Sequence, residues 1–231
     1  AVQGAFTVDV TLFDVTATGG AAPLVSPEDY GNVVAQLSFA GTVSETQQFT
    51  VATLDDSVLE ATETFTVSLS ASSALVTDSD TAVGTITDND TAAVTVEDVS
   101  AVEGGGLLFT VTLDNAVQGA FTVAVTLSDV TATGGAAPLV SPEDYDNVVA
   151  QLNFTGTASE TKQFTVATLD DSVLEATETF GVSLSASNAL VTDSDTAVGT
   201  ITDNDTAGKS SIGDCVWNDA NVDGFQTSGE V

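Results

Sequence analysis

Residues 1–92 recur at residues 116–207 with a constant offset of 115 and nine substitutions. This repeat constrains the fold more than any other feature of the chain. A unit of that length is too long for a solenoid repeat and has the size of one complete β-sandwich domain. Segments such as APLVSPEDY and ATLDDSVLEATETF are unchanged between the copies, whereas Asp9/Ala124, Phe13/Ser128, Gly31/Asp146, Gln47/Lys162 and Thr66/Gly181 differ. The natural unit opens near Ala92 with AAVTVEDVSAVEGGGLLFTVTLDN and closes at Asp205, so the first copy lacks a counterpart of Ala93–Asn115. Two explanations stand: the sequence is cut from a longer array, or a neighbouring molecule supplies the missing strands. An uncovered sheet edge would otherwise invite aggregation.

Within each copy, apolar and polar residues alternate with a period of two. The first copy predicts strands over Ala5–Leu12, Val33–Phe39, Gln48–Leu54, Thr64–Ser70 and Ala82–Thr87. The second repeats these and adds Ala92–Asp98 and Leu107–Leu113, for seven in all. Gly, Pro, Asp and Ser clusters separate the strands, and no stretch has a helical period. The expected fold is therefore all-β: tandem seven-stranded antiparallel Ig-like β-sandwiches, the first lacking its N-terminal strands. The expected domains are 1–91, 92–207, and a C-terminal segment, 208–231, that opens a further unit.

The charge narrows function. With 34 Asp+Glu against 2 Lys+Arg and no His, the net charge is −32. Nucleic-acid binding needs clustered cations and is excluded on that ground. A chain that is 42% hydrophobic is not a charged disordered polymer. With no His and one Cys, no CxxC-type zinc site and no His-dependent catalytic triad can be assembled, and a zinc ligand set would have to be mainly carboxylate, which suits hard cations better. No apolar run reaches the roughly 18–20 residues of a membrane helix. The opening AVQGAFTVDV has no signal-peptide pattern, as expected of a mature or excised fragment.

The carboxylates are grouped. Outward strand positions are mostly Thr, Ser or Gln, while acids crowd into SPEDY, LDDSVLEATE and TDND, with Glu103 in AVEGGG. In a seven-strand sandwich the first turn, the LDDSVLEATE loop and the end of the last strand share one pole. Glu103, Asp144, Asp170, Asp171, Glu175, Glu178, Asp203 and Asp205 then converge. Two carboxylates 4 Å apart repel by about 4 kcal/mol at an effective dielectric near 20. Such a pole needs cations or retained protons. Oxygen-only ligands on loops select Ca²⁺ over transition metals, and eight carboxylates exceed the needs of one ion.

The pattern VEDVSAVEGG…PEDY…LDDSVLEATETFTVSLS…GTITDND resembles Calx-β domains, found in sodium–calcium exchangers and in many bacterial surface proteins. The resemblance implies Ca²⁺ ligands at Glu103, Asp144, Asp170, Asp171, Glu175, Glu178, Asp203 and Asp205, with the Val173 carbonyl as a further candidate. In the first copy it implies Asp29, Asp55, Asp56, Glu60, Glu63, Asp88 and Asp90. Two departures stand out. Asn89 and Asn204 occupy a position often held by Asp in exchangers, and the first copy has no counterpart of Glu103.

Beyond Asp205 the composition changes. Asp219, Asn221, Asp223, Gly224 and Glu230 fit D-x-[DN]-x-[DN]-G-x₅-E, a twelve-residue calcium-loop spacing in which the Phe225 carbonyl is a further ligand. SIGDCVWNDANVDGFQTSGE is similar to the opening of B-type repeats of Gram-positive serine–aspartate adhesins, with Cys215 at a position where that family has an aromatic or aliphatic residue. Gly208–Ser210 is not a P-loop, because Asp203 stands where its first Gly would be. The leading functional expectation is non-enzymatic: a secreted, cell-surface stalk, adhesin or filament module in which Ca²⁺ at interdomain poles stiffens tandem sandwiches. Neighbouring copies or adjacent domains are the expected partners, with head-to-tail assembly possible. A calcium sensor is the first alternative. A carbohydrate-binding module is the second, and for a sugar site of any kind, including a carboxylate-pair glycosidase, the sequence offers only Trp217, Tyr30 and Tyr145 as large platforms outside the Phe-rich core.

Overall fold

The computed structural model describes residues 1–32, 35–147 and 150–206. All regular structure in them is β. The first repeat contains β1 (Phe6–Asp14), β2 (Gly19–Gly20), β3 (Tyr30–Gly31), β4 (Ala35–Phe39), β5 (Val58–Leu59), β6 (Glu63–Ala71) and β7 (Thr81–Ile86). The second contains β8 (Val94–Val96), β9 (Val99–Val102), β10 (Gly106–Leu113), β11 (Ala116–Val117) and β12 (Phe121–Asp129). It continues with β13 (Gly134–Gly135), β14 (Tyr145–Asp146), β15 (Gln151–Phe154), β16 (Thr161–Ala167), β17 (Glu178–Ala186) and β18 (Thr196–Thr202).

In the second repeat a five-stranded sheet, β15-β12-β17-β18-β9, faces a three-stranded sheet, β16-β10-β8. Alternation along the strands explains the core. Leu107, Phe109, Val111 and Leu113 point inward from β10, and Val123, Val125, Phe180 and Val182 point inward from the opposing sheet. Phe109 meets Phe180 edge-on at 6.1 Å, the preferred geometry for an aromatic pair. Gly199 lies directly beneath the Phe180 ring, where a Cβ would collide with it.

Besides the two-residue parallel pairs β2–β3, β5–β11 and β13–β14, one longer pairing departs from the antiparallel expectation: β9 runs parallel to β18, with Thr202 opposite Val102. The predicted strand Ala92–Asp98 is correspondingly shorter. The chain leaves the three-stranded sheet after Val96 and joins the five-stranded one at Val99, with Asp98 Oδ1 accepting the Val198 N–H at 2.7 Å.

The main sheet of the first repeat is four-stranded, β4-β1-β6-β7, with the same register as its counterpart, beside the two-residue pair β2–β3. The strand predicted at Gln48–Leu54 is not formed, although its sequence forms β16 in the second repeat. The cause is the missing partner. β16 pairs along its length with β10, and nothing in the first repeat corresponds to β10. Period-two patterning makes a segment able to join a sheet but does not supply the sheet. The apolar cluster there is correspondingly small, built on Val10, Leu12, Ala17, Tyr30, Phe65 and Val67.

Tyr30 and Tyr145, expected as exposed sugar platforms, are instead 0% exposed. They stack on Phe65 and Phe180 at 4.4 and 4.3 Å. Each hydroxyl donates to a carboxylate, Asp14 or Asp129 Oδ1, at 2.6 Å. An amphipathic ring can be buried when its polar tip is satisfied. Burial and that acceptor hold both phenols above their ordinary pKa. Tyr145→Phe is expected to destabilise the second repeat by about 1.5–3 kcal/mol, the usual worth of a hydrogen bond to a charged group. Chemical denaturation measures this, and an unchanged midpoint would show that the bond contributes nothing.

Candidate metal centre

The parallel pair β9–β18 is what builds the pole. Parallel strands end on the same side, so Glu103 follows β9 beside Asp203, which follows β18. Glu103 N–H bonds to the Thr202 carbonyl at 3.0 Å, and Asn204 N–H bonds to Glu103 Oε1 at 3.2 Å. Glu178 opens β17 opposite Ile201. Asp144 precedes β14, and its carbonyl accepts the Leu169 N–H at 2.9 Å, which ties SPEDY to the acidic loop. The Tyr145 ring lies over Gly134, where a Cβ would meet Cζ at 2.7 Å.

Two carboxylate triads result in the second repeat, Glu103–Asp203–Asp205 and Asp144–Glu175–Glu178. In each, one oxygen per residue lies within 4.8 Å of the others. Glu103, Asp144, Asp171, Glu175, Glu178 and Asp203 line one concavity. Asp170 is not among its lining residues; its Oδ1 accepts from Asn204 Nδ2 at 3.3 Å. Val173, expected to offer its carbonyl, donates its N–H to Asp171 Oδ1 at 2.7 Å.

In the first repeat Asp29, Glu60 and Glu63 form the triad. Asp55, Asp56, Asp88 and Asp90 line the same concavity, together with Glu28 and Asn89. All seven carboxylates expected there are therefore brought together. Asp219, Asn221, Asp223 and Glu230 lie outside the described residues, as do Cys215 and Trp217.

Sequence reasoning missed two contributions. Asn89 and Asn204 act as braces, with Nδ2 donating to Asp55 and Asp170 Oδ1, each at 3.3 Å. Gln118, from the second repeat, reaches across to the first: its Nε2 donates to Glu60 Oε1 at 3.1 Å and Glu63 Oε1 at 3.5 Å. Gln118 sits in AVQGAF, a string that carries no metal signature, so only the docking of the repeats could reveal it.

The electrostatics fit a hard cation. Burial first, then neighbouring Asp29, Glu63, Asp56 and Asp88, push Glu60 up to about 7. Burial and Asp144 push Glu178 up to about 7. Glu175, Glu103 and Asp205 are raised as well, chiefly by burial. Asp203 is held low by the N–H groups of Asp205 and Glu175. Asp205 Oδ2 is buried without a hydrogen-bond partner. These donors are oxygen-only and crowded, and burial, with repulsion from neighbouring carboxylates, raises several of them. This is the chemistry a Ca²⁺ ion completes, since it takes 6–8 oxygens in a flexible shell.

The family model "Calx-beta domain" matches residues 1–100 and 88–205, and the chain belongs to that family. No curated protein matches the sequence. Among solved structures, the apo-form Calx CBD1 domain is 18% identical over 50% of this chain and 100% of its own, with a TM-score of 0.40. CBD12 from CALX1.2 is 23% identical over 79% of this chain and 68% of its own, with a TM-score of 0.33. The calcium binding domain CBD12 of CALX1.1 has the same identity and coverage, with a TM-score of 0.32.

The raised carboxyls set a pH dependence. A glutamate at about 7 when folded and about 4.3 when unfolded stabilises the fold fully below the lower value. That contribution is lost as pH rises through the upper one. In calcium-free buffer the melting temperature is thus expected to fall between about pH 5 and about pH 8, and Glu60→Gln with Glu178→Gln to flatten the slope. A calorimetric melting temperature that rises with pH over this range would contradict it.

Proposed function

We propose that this Calx-beta chain is a calcium-binding structural module of an extracellular stalk, adhesin or filament, in which Ca²⁺ held at interdomain poles stiffens tandem β-sandwiches. One observation carries the reading. The loop that supplies carboxylates in the first repeat also docks the second repeat. Val58–Leu59 pairs in parallel with Ala116–Val117, and Gln118 N–H bonds to the Leu59 carbonyl at 2.9 Å. Leu59, only 6% exposed, joins the apolar cluster of the second repeat. Next along the chain come Glu60 and Glu63, the two carboxylates of that loop in the Asp29–Glu60–Glu63 triad. A cation drawn to those carboxylates orders the loop and so the junction.

The proposed ligands are Asp29, Asp55, Asp56, Glu60, Glu63, Asp88 and Asp90 in the first repeat. In the second they are Glu103, Asp144, Asp170, Asp171, Glu175, Glu178, Asp203 and Asp205. The ion supplies positive charge that removes carboxylate repulsion, and binding it displaces protons from the raised glutamates. The proposed units are 1–91, 92–207 and 208–231. The last, with Asp219, Asn221, Asp223 and Glu230, opens a B-type calcium domain of a bacterial adhesin. A stalk fits the near-identity of the repeats, which gives each junction the same chemistry. A non-catalytic role fits a site made only of carboxylates with no His.

Calcium is expected to raise the melting temperature and to narrow the distribution of shapes seen by small-angle scattering, with EDTA reversing both. Glu175→Gln with Glu178→Gln is expected to weaken binding at the second site by at least about tenfold, about 1.4 kcal/mol, while leaving the first intact in titration calorimetry. Identical melting and scattering in calcium and EDTA would refute the proposal.

A further inference from the structure

Gln118 of the second repeat is placed against the first pole by the main chain. It follows β11, which pairs in parallel with β5, and its N–H bonds to the Leu59 carbonyl at 2.9 Å. Val117 and Leu59, both buried in the apolar cluster of the second repeat, close the same contact. The side chain then reaches the Asp29–Glu60–Glu63 triad, where Nε2 donates to Glu60 Oε1 at 3.1 Å and to Glu63 Oε1 at 3.5 Å. Glu103 belongs to the other triad of its pole, so Gln118 meets a triad that the second repeat builds without Glu103.

Three carboxylates leave a calcium shell unfilled. The ion takes about 6–8 oxygens at roughly 2.3–2.6 Å, amide carbonyls among them. Each carboxylate has two oxygens, and Asp29 Oδ2 already accepts the Thr18 N–H at 2.6 Å. Asp29 and Glu63 are buried and Glu60 is half-buried, so the triad opens on the side where Gln118 stands. Neighbouring oxygens in such a shell are about 3–3.5 Å apart, and the end of Gln118 already keeps those separations from Glu60 and Glu63. A half-turn about the last, soft torsion of the side chain exchanges Nε2 for Oε1 at nearly the same place. Against bare carboxylates the amide presents its N–H, and against carboxylates that hold a cation it presents its oxygen.

We propose that the Gln118 side-chain carbonyl is a calcium ligand of the first pole, so that one repeat completes the coordination shell of the other. This deepens the calcium reading and rests on it. An ion at the first pole is then held by ligands from both repeats, beyond the ordering of one loop. The main-chain pairing of β5 with β11 is independent of the side chain at 118, so that side chain can be changed while the repeats stay docked.

Calcium titration of the 231-residue chain, followed by the amide resonances of Glu60 and Glu175, reads the two poles separately in one sample. Gln118→Ala is expected to weaken calcium binding at Glu60 by about tenfold and to leave Glu175 unchanged, and Gln118→Glu, which replaces a neutral oxygen by a charged one, to strengthen it by about tenfold. A Gln118 that only braces the loop through its N–H requires the opposite of the glutamate variant, which cannot donate and adds repulsion. Binding at Glu60 that is no tighter in Gln118→Glu than in wild type, or no weaker in Gln118→Ala, overturns the proposal. If Glu175 still responds to calcium in those chains, the calcium reading stands without it. A wild-type chain in which neither resonance responds to calcium overturns both.

Discussion

Mutual repulsion among carboxylates that the fold forces together is the constraint on which the rest of the structure depends. Three oxygens within 4.8 Å, with no Lys or Arg paired to them among the described residues, are costly unless protons or cations intervene. The described residues contain one ion pair, Lys162–Glu160 at 2.8 Å, and it lies away from both poles. The protein therefore holds its acidic loops by neutral means. Backbone N–H groups bond to Asp203, Asp88, Asp56 and Asp171, and the amides of Asn89, Asn204 and Gln118 bond to their neighbours. These bonds orient the carboxylates without neutralising them, which leaves the charge available to an ion.

Not every acid serves this end. Asp14 and Asp129 anchor the buried tyrosines. Glu45 caps the N–H groups of Ala40, Gly41 and Thr42. Asp78 and Asp193 fasten the turns after β6 and β17 by accepting from Ala71 and Ala186. In sequence these carboxylates look like the site residues. What separates them is whether several acids meet in one place or each has a private donor.

The class of fold, the tandem organisation and the longer strands of the complete repeat, β9 excepted, were legible because period-two alternation reports burial on one face directly. The convergence of Glu103, Asp170–Glu178 and Asp203–Asp205 was legible too, since it follows from which strand ends share a pole. Three things were not. The missing strand at Gln48–Leu54 depends on a partner, and Gln163–Leu169, whose sequence is the same, does form a strand when β10 is present. The parallel pairing of β9 depends on the chain changing sheets at Glu97–Asp98, which alternation does not encode. The burial of Tyr30 and Tyr145 depends on Asp14 and Asp129, sixteen residues away in each case.

The two copies finish the same loop differently. In the second repeat β9 delivers Glu103, whose carboxylate joins Asp203 and Asp205. The first repeat has no β9, and there Gln118 of the following repeat approaches Glu60 and Glu63 instead. One pole is thus augmented from within its own sandwich and the other from its neighbour. An amide contributes no charge, so Gln118 eases the crowding at Glu63 without adding a ligand carboxylate. The pole it meets is also the one locked into the junction by Leu59. The same ten-residue loop, Leu54–Glu63, thus both supplies carboxylates to the first pole and carries the strand on which the second repeat docks.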